Sequence, residues 1–349
     1  MQKKVVFTLL LVLMALAAFW FWPKAETAVV VADQPKVQAI AEPGQKAVVQ
    51  TAAPVQMDQY QQQELQQSFG LLSQAYAAEL NYPPYSRPLS AADHQLLNPN
   101  HFDTVALPLE GGASASLVLP KYRFTYPEPV VFTLVMDGLS PQHVKAELRE
   151  QQSGKVLAQA DLKAAVDATE WPHQFDASEN WDGSMELVVL FEAQGKTQQL
   201  QTGLDYSYPV ATITGIGSSS SRGADLLIPV YLDVKKAGMY RLRANLFTES
   251  KQPLAVLTAE EQLTEGSAQL ELKAFKQVLQ QQGGPYWLGT FVLELRSAMP
   301  GEANRYGDSK EPGFVVDAIN FGQLSDEPFV LSDEEKQRLQ FLQQLAGGK

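Results

Sequence analysis

The 349-residue sequence contains no cysteine and only four histidines. A chain without cysteine forms no disulfide, holds no metal through thiolates, and has no cysteine nucleophile or cysteine-linked lipid. No two of the histidines stand at the spacing of paired zinc ligands. We therefore expect no metal site and no cofactor, and we expect the folded state to depend on hydrophobic cores alone.

Positive charge is also scarce. Lys and Arg number 27 against 39 Asp and Glu, which gives a formal net charge of −12 at pH 7. Binding to the phosphates of nucleic acid, or to an anionic lipid surface, needs clustered Lys and Arg. The sequence has no such basic stretch. The charge balance therefore argues against nucleic acid as a partner and against electrostatic docking on lipid.

The common catalytic motifs are missing as well. The sequence has no HExxH, GxSxG or GxGxxG pattern and no phosphate-binding P-loop. Two carboxylates that meet only in the fold cannot be recognised in a sequence, so an enzyme with such a site stays open as the least favoured alternative. We expect a protein that is not an enzyme.

One long hydrophobic run is present, from residue 5 to residue 22, directly after Lys3 and Lys4. A helix of that length spans about 27 Å, close to the hydrocarbon thickness of a bilayer. The two lysines favour a cytoplasmic N-terminus. The pattern predicts a transmembrane signal anchor over residues 1–24, and cleavage as a signal peptide stays open. In a bacterium this predicts a single-pass inner-membrane protein with a periplasmic ectodomain.

Residues 25–54 are rich in Ala, Val, Gln and Pro without a period, which predicts a flexible linker. Residues 55–101 then combine an amphipathic helix over 55–80 with a proline-rich collar. The helix is predicted from apolar residues that recur every three or four positions, at Leu65, Phe69, Leu72, Tyr76 and Leu80. Two interpretations stay open: the stripe packs on the protein's own first sandwich, or it forms a coiled coil with a second chain.

The collar contains Pro83, Pro84 and Pro88, and prolines favour extended backbone. Tyr82 and Tyr85 lie among them and offer flat contact area, which makes them candidate binding residues. The alternative interpretation is that the collar is clamped against a sandwich.

Short alternating strands recur over residues 102–212. The run 130–136 predicts a long strand, and apolar residues at every second position from Met185 to Phe191 predict a strand with one buried face. About seven such strands separated by turns are typical of an immunoglobulin-like β-sandwich.

Residues 171–183 form the densest candidate site. Trp171, His173 and Trp181 stand among carboxylates and could hold a sugar ring or a calcium ion. The spacing of the calcium ligands is poor, because Trp181 occupies the position that requires glycine. The alternative interpretation is that the two tryptophans close an open end of the sandwich.

Residues 213–325 predict a second sandwich. The pattern consists of Tyr240, Leu242, Ala244 and Leu246, then Leu270 and Leu272, then Gly284, Pro285, Tyr286 and Leu288, then Leu293 and Leu295. It resembles a β-sandwich accessory domain of exported bacterial proteins, over roughly residues 226–321. The resemblance implies a fold and no catalytic residues. The whole chain resembles uncharacterised bacterial envelope proteins with tandem immunoglobulin-like domains.

Residues 326–349 are predicted to contain a short C-terminal helix, because Ser332 and Glu335 have the spacing of a capping box. The expected architecture is mainly β: two tandem immunoglobulin-like sandwiches with an N-terminal transmembrane helix, a flexible linker, one amphipathic helix and a short C-terminal helix.

The expected function is a membrane-anchored envelope interaction or scaffold protein that binds another protein through its ectodomain. A carbohydrate-binding envelope module is the alternative. The two differ in what they require of Trp171 and Trp181: sugar binding needs exposed, coplanar rings, whereas scaffolding lets the rings belong to the core.

Overall fold

The structure, a computed structural model, describes residues 59–104, 106–163, 169–280, 283–297, 299 and 304–347. The predicted anchor over residues 5–22 and the predicted linker over 25–54 lie outside the described residues. Within the described part of the chain, no helix is long and apolar enough to cross a membrane.

The first sandwich consists of two sheets that share one hydrophobic core. Its strands are β2 (Ala106–Pro108), β3 (Ser114–Val118), β4 (Arg123–Thr125), β5 (Val130–Asp137), β6 (Gln142–Glu150), β7 (Val156–Asp161), β8 (Glu170–Phe175), β9 (Gly183–Ala193) and β10 (Lys196–Ser207). One sheet has the order β2-β3-β5-β8 and the other β4-β10-β9-β6-β7. All pairings are antiparallel except that of β4 with β10.

The predicted alternation produces this core. Val130, Phe132, Leu134 and Met136 of β5 are buried, with more exposed residues between them. The predicted face of β9 is buried as well, from Met185 to Phe191 at every second position. Successive side chains of a strand point to opposite faces, so one apolar face is enough to close each sheet onto the other. Both predicted strands are confirmed.

The second sandwich is built in the same way around a separate core. Its strands after the first sandwich are β11 (Ala211–Ile216), β12 (Ser220–Arg222), β13 (Asp225–Val234), β14 (Gly238–Thr248), β15 (Pro253–Leu263), β16 (Gly266–Phe275), β17 (Tyr286–Leu295), β18 (Arg305–Tyr306), β19 (Asp308–Ser309) and β20 (Gly313–Val316). One sheet has the order β12-β13-β11-β19, with β16 on β13. Leu293, which the pattern predicts to be buried, lies in this core.

The other sheet of the second sandwich begins with a strand from before the first sandwich. Its order is β1-β15-β14-β17-β18, with β20 on β17, where β1 is Ser86–Pro88. β1 pairs antiparallel with β15, and Arg87 is the register partner of Val256. The collar is therefore part of the second sandwich. The range 213–325 predicted for the second sandwich lacks this strand.

Side chains of the collar reinforce the pairing. The buried Ser86 Oγ accepts a hydrogen bond from the backbone N–H of Phe275 at 3.0 Å. Leu89 is buried, and its N–H donates to the carbonyl of Leu254 at 3.0 Å. The amide of Asn245, on β14, donates to the carbonyl of Leu96 at 2.8 Å. The collar thus joins both the edge and the outer face of this sheet.

Among the residues that the structure describes, three α-helices flank the sandwiches: α1 (Gln59–Glu79), α2 (His94–Leu97) and α3 (Asp333–Gly347). α1 confirms a helix within the predicted range 55–80, and it packs against α3. Leu65 and Leu72 of the predicted apolar stripe are exposed. The pairing with α3 differs from the interpretation in which this stripe packs on the first sandwich. The capping box of α3 is confirmed, since Glu335 N–H donates to Ser332 Oγ at 3.2 Å and Ser332 N–H donates to Glu335 Oε2 at 2.8 Å.

We predict that Ser86→Ala destabilises the protein by about 1–3 kcal/mol, because it leaves the buried N–H of Phe275 without an acceptor. The free energy of unfolding, measured with denaturant, tests this. Ser267→Ala is the matched control, since Ser267 is exposed on β16, the strand that also contains Phe275. Equal effects of the two substitutions would contradict the role assigned to Ser86.

We also predict loss of stability at alkaline pH. Burial raises the pKa of Tyr206, Tyr240 and Tyr286 to about 12 each. The pKa of tyrosine in an unfolded chain is about 10. A raised pKa in the fold means that the stabilisation is complete below pH 10 and falls as the pH rises toward 12. Part of the tyrosinate absorbance of the 12 tyrosines should appear only together with the loss of circular dichroism above pH 10. Ionisation of all 12 tyrosines near pH 10 with unchanged circular dichroism would contradict this.

Candidate functional site

The two tryptophans of the predicted loop belong to the core of the first sandwich. Trp171 lies on β8, and its side chain is only 5% exposed. Trp181 is 4% exposed and contacts the ring of Tyr206 edge to face, with 5.3 Å between ring centroids. The first part of the candidate site at residues 171–183 is a strand, because β8 pairs with β5 through Phe175. The structure favours the interpretation in which both rings close the core.

His173 is also held on β8. Its ring packs against Phe132 and Phe175, with centroids 5.7 and 5.2 Å apart. Trp287, on β17, has Lys251 Nζ 3.0 Å from the centre of its ring. Trp171 and Trp181 are too buried to offer the free flat face that a sugar needs. Among the described residues, no group of three or more His, Cys, Asp and Glu side chains is arranged to hold a metal ion.

The two collar tyrosines make contacts within the second sandwich. Tyr82 packs against its core. The Tyr85 hydroxyl donates to the carboxylate of Asp225, at 2.9 and 3.0 Å from its two oxygens. Burial, followed by this contact with Asp225, raises the pKa of Tyr85 well above its usual value. Burial likewise raises the pKa of Asp225, while the hydrogen bond from Tyr85 opposes that shift. This pair attaches the collar to β13.

A small cleft lies where the two sandwiches meet. Arg305 of β18 forms an ion pair with Asp182, which precedes β9. Arg123 of β4 lies over the ring of Tyr306, 4.4 Å from its centroid, and donates to the carbonyl of Pro99 at 3.2 Å. The cleft has a volume of about 250 Å³. Its charged groups already have partners within the protein. We therefore interpret the cleft as a contact between the two sandwiches and not as a reactive site.

A second concave site lies on the outer face of β14, the central strand of its sheet. Tyr240, Leu242 and Ala244 point into the core, so Arg241 and Arg243 point to the opposite face. Arg241, Arg243, Thr258, Val292 and Glu294 line a pocket of about 120 Å³.

The two arginines of this pocket differ in their partners. Arg241 donates twice to one oxygen of Glu294, from Nε at 3.0 Å and from Nη2 at 2.5 Å. Arg243 Nε is buried and has no hydrogen-bond partner among the described residues. Burial is the main cause that lowers the pKa of Arg243, and the nearby Arg241 and Arg123 act in the same direction while Glu294 opposes them. Arg243 is therefore a partly buried cation without a matched carboxylate.

The sequence does not predict this pocket. Arg241 and Arg243 occupy the polar positions of an alternating strand, and such positions normally face water. The available signal was their spacing: two arginines, two residues apart on one strand, share a face. Which carboxylates stand opposite depends on the register of β14 with β17, and the sequence does not specify that register.

Comparisons with known proteins assign no family to the chain. No protein-family model and no curated protein sequence matches the chain. Among solved structures, a DUF4785 family protein from Legionella pneumophila is similar with 16% identity and a TM-score of 0.41, and each chain is covered over 56% of its length. The chain thus corresponds to little more than half of that protein.

Two larger proteins are also similar in part. Escherichia coli alpha-2-macroglobulin has 10% identity and a TM-score of 0.25, over 56% of this chain and 20% of its own. A calcium-binding mutant of Bacteroides uniformis β-glucuronidase 2 has 11% identity and a TM-score of 0.27, over 52% of this chain and 30% of its own. These values assign no function.

We predict opposite effects of removing the two arginines. Arg241→Met leaves Glu294, which is 8% exposed, as a buried charge without its partner. It should lower the free energy of unfolding by about 1–3 kcal/mol, less than for a fully buried pair because Arg241 is partly exposed. Arg243→Met removes an unmatched buried cation, so stability should stay equal or rise by up to about 2 kcal/mol. Denaturant unfolding measures both, and equal losses would contradict the difference in pairing.

Proposed function

We propose that this protein is a non-catalytic interaction or scaffold protein of the bacterial envelope. In this proposal residues 5–22 anchor it in the inner membrane, and residues 25–54 tether two immunoglobulin-like sandwiches in the periplasm. The helix pair α1/α3 then carries the surface that binds another protein. The proposal does not require catalysis, a cofactor or nucleic acid.

The observation that carries the proposal is the apolar surface left on the helix pair. Leu71 is 70% exposed, Leu72 is 51% exposed and Phe341 is 58% exposed. No described residue of α3 is buried. Two helices packed on each other cannot bury a complete apolar stripe, and exposed large apolar side chains often indicate an interface.

The sequence around this surface supports a helical protein partner. α1 contains only two charged residues in its 21 positions, Glu64 and Glu79, and is otherwise rich in Gln, Ala and Leu. A third amphipathic helix, laid along the pair, would cover its apolar side chains as in a helix bundle. In the sequence, α1 also follows the expected tether. We therefore propose an amphipathic helix of another envelope protein as the occupant.

The interaction is tested by photocrosslinking in cells from position 72, with position 235 as the control. Lys235 is equally accessible but lies on the second sandwich. We expect one defined adduct from position 72, its loss in the variant Leu71→Gln/Phe341→Gln, and unchanged circular dichroism of that variant. Adducts of equal yield from both positions would contradict the proposal. An adduct of two copies of this chain would show that the surface mediates self-association instead of binding a different protein.

The proposed topology is tested separately. A reporter that is active only in the periplasm, fused after Lys349, should be active, because the only long apolar run precedes the ectodomain. Activity of a cytoplasm-only reporter at the same position would contradict export. Release of the full-length protein from membranes by salt alone would contradict the anchor but not the export.

A further inference from the structure

The pocket on the outer face of β14 has an excess of positive charge in a strongly acidic protein. Two guanidinium groups, those of Arg241 and Arg243, line it with a single carboxylate, that of Glu294. Glu294 is already engaged by Arg241 through two hydrogen bonds. The chain as a whole carries −12. The local excess is therefore a feature of this site and does not follow from composition.

Burying a cation without a counter-charge is costly, because the group loses water and gains no acceptor in return. Arg243 meets this condition at its Nε, which is buried without a hydrogen-bond partner among the described residues. Protein atoms enclose Nε, so a ligand does not reach it. Arg243 nevertheless lines the pocket, and an anion there supplies the counter-charge that the guanidinium lacks. The same reasoning explains why replacing Arg243 is expected to leave the stability equal or to raise it.

The shape and lining of the pocket favour a carboxylate among anions. A guanidinium presents parallel N–H donors that match the two oxygens of a carboxylate. The volume of about 120 Å³ admits a carboxylate with a short carbon chain, and is too small for a sugar ring or a nucleotide. Val292 provides an apolar wall for that carbon chain, and Thr258 provides a hydroxyl.

We propose that this pocket binds a carboxylate group through Arg243, with Thr258 and Val292 completing the contact. The carboxylate belongs either to a free small acid or to the C-terminus of a peptide. This site is separate from the helix pair α1/α3, so it does not depend on the function proposed above.

The test uses full-length protein and two probes, acetate and N-acetylglycine, with chloride at equal ionic strength as the reference. Calorimetric titration and thermal unfolding report binding, since a ligand of the folded state raises the unfolding temperature. We expect saturable binding of at least one probe. A preference of about tenfold or more for N-acetylglycine would identify a peptide C-terminus as the source, and equal binding would identify a free acid.

Variants locate the binding. Arg243→Met should weaken it by about tenfold or more, and Arg243→Lys should weaken it less because it keeps the charge but loses the parallel donors. Arg296→Met is the matched control, since Arg296 follows β17 of the same sheet and already pairs with Glu260 at 3.2 Å. Binding that equals the chloride reference, binding unchanged in Arg243→Met, or saturable binding of inorganic phosphate instead of both carboxylates would overturn the proposal.

Discussion

The pairing of β1 with β15 is the constraint on which the rest of the structure depends. Strand β1 comes before the first sandwich in the chain, yet it forms the edge of a sheet in the second. The buried Ser86 and Leu89 hold this strand in place, and Tyr85 holds it through Asp225. The first sandwich is therefore inserted between two parts of the second, and it must fold within a loop that the second sandwich closes.

This arrangement also positions the helices. The chain enters the second sandwich at the collar, directly after α1, and leaves it before α3. The two helices consequently meet, although they lie at opposite ends of the described sequence. Because the chain has no cysteine, no disulfide secures this closure. Hydrophobic burial and a few buried hydrogen bonds stabilise the closure instead. Individual contacts such as the one at Ser86 therefore contribute a large share of the stability.

Local pattern predicted most of the strands, because alternation reports which face of a strand is buried. The strands around Phe132, Leu187 and Leu242 were all visible in this way. Strand β1 was not, since three residues next to several prolines show no period and their partner lies far along the chain. Trp171 and Trp181 became candidate binding residues for a related reason. They stand among polar residues in the sequence, but in the fold they are buried in the core. The lack of an acceptor for Arg243 depends on the register of neighbouring strands and on burial, which no sequence spacing encodes.

The most direct test of this account introduces two cysteines, Arg87→Cys and Val256→Cys, into the cysteine-free full-length chain. Opposed residues in antiparallel strands have Cα atoms about 4.5–5.5 Å apart, within the range that a disulfide spans. The account predicts rapid crosslinking within a single chain under mild oxidation, and no crosslink for Arg87→Cys with Ser267→Cys, since β16 belongs to the other sheet. Folded protein in which the first pair keeps both thiols free, or crosslinks only between chains, would contradict the claim that the collar completes its own second sandwich.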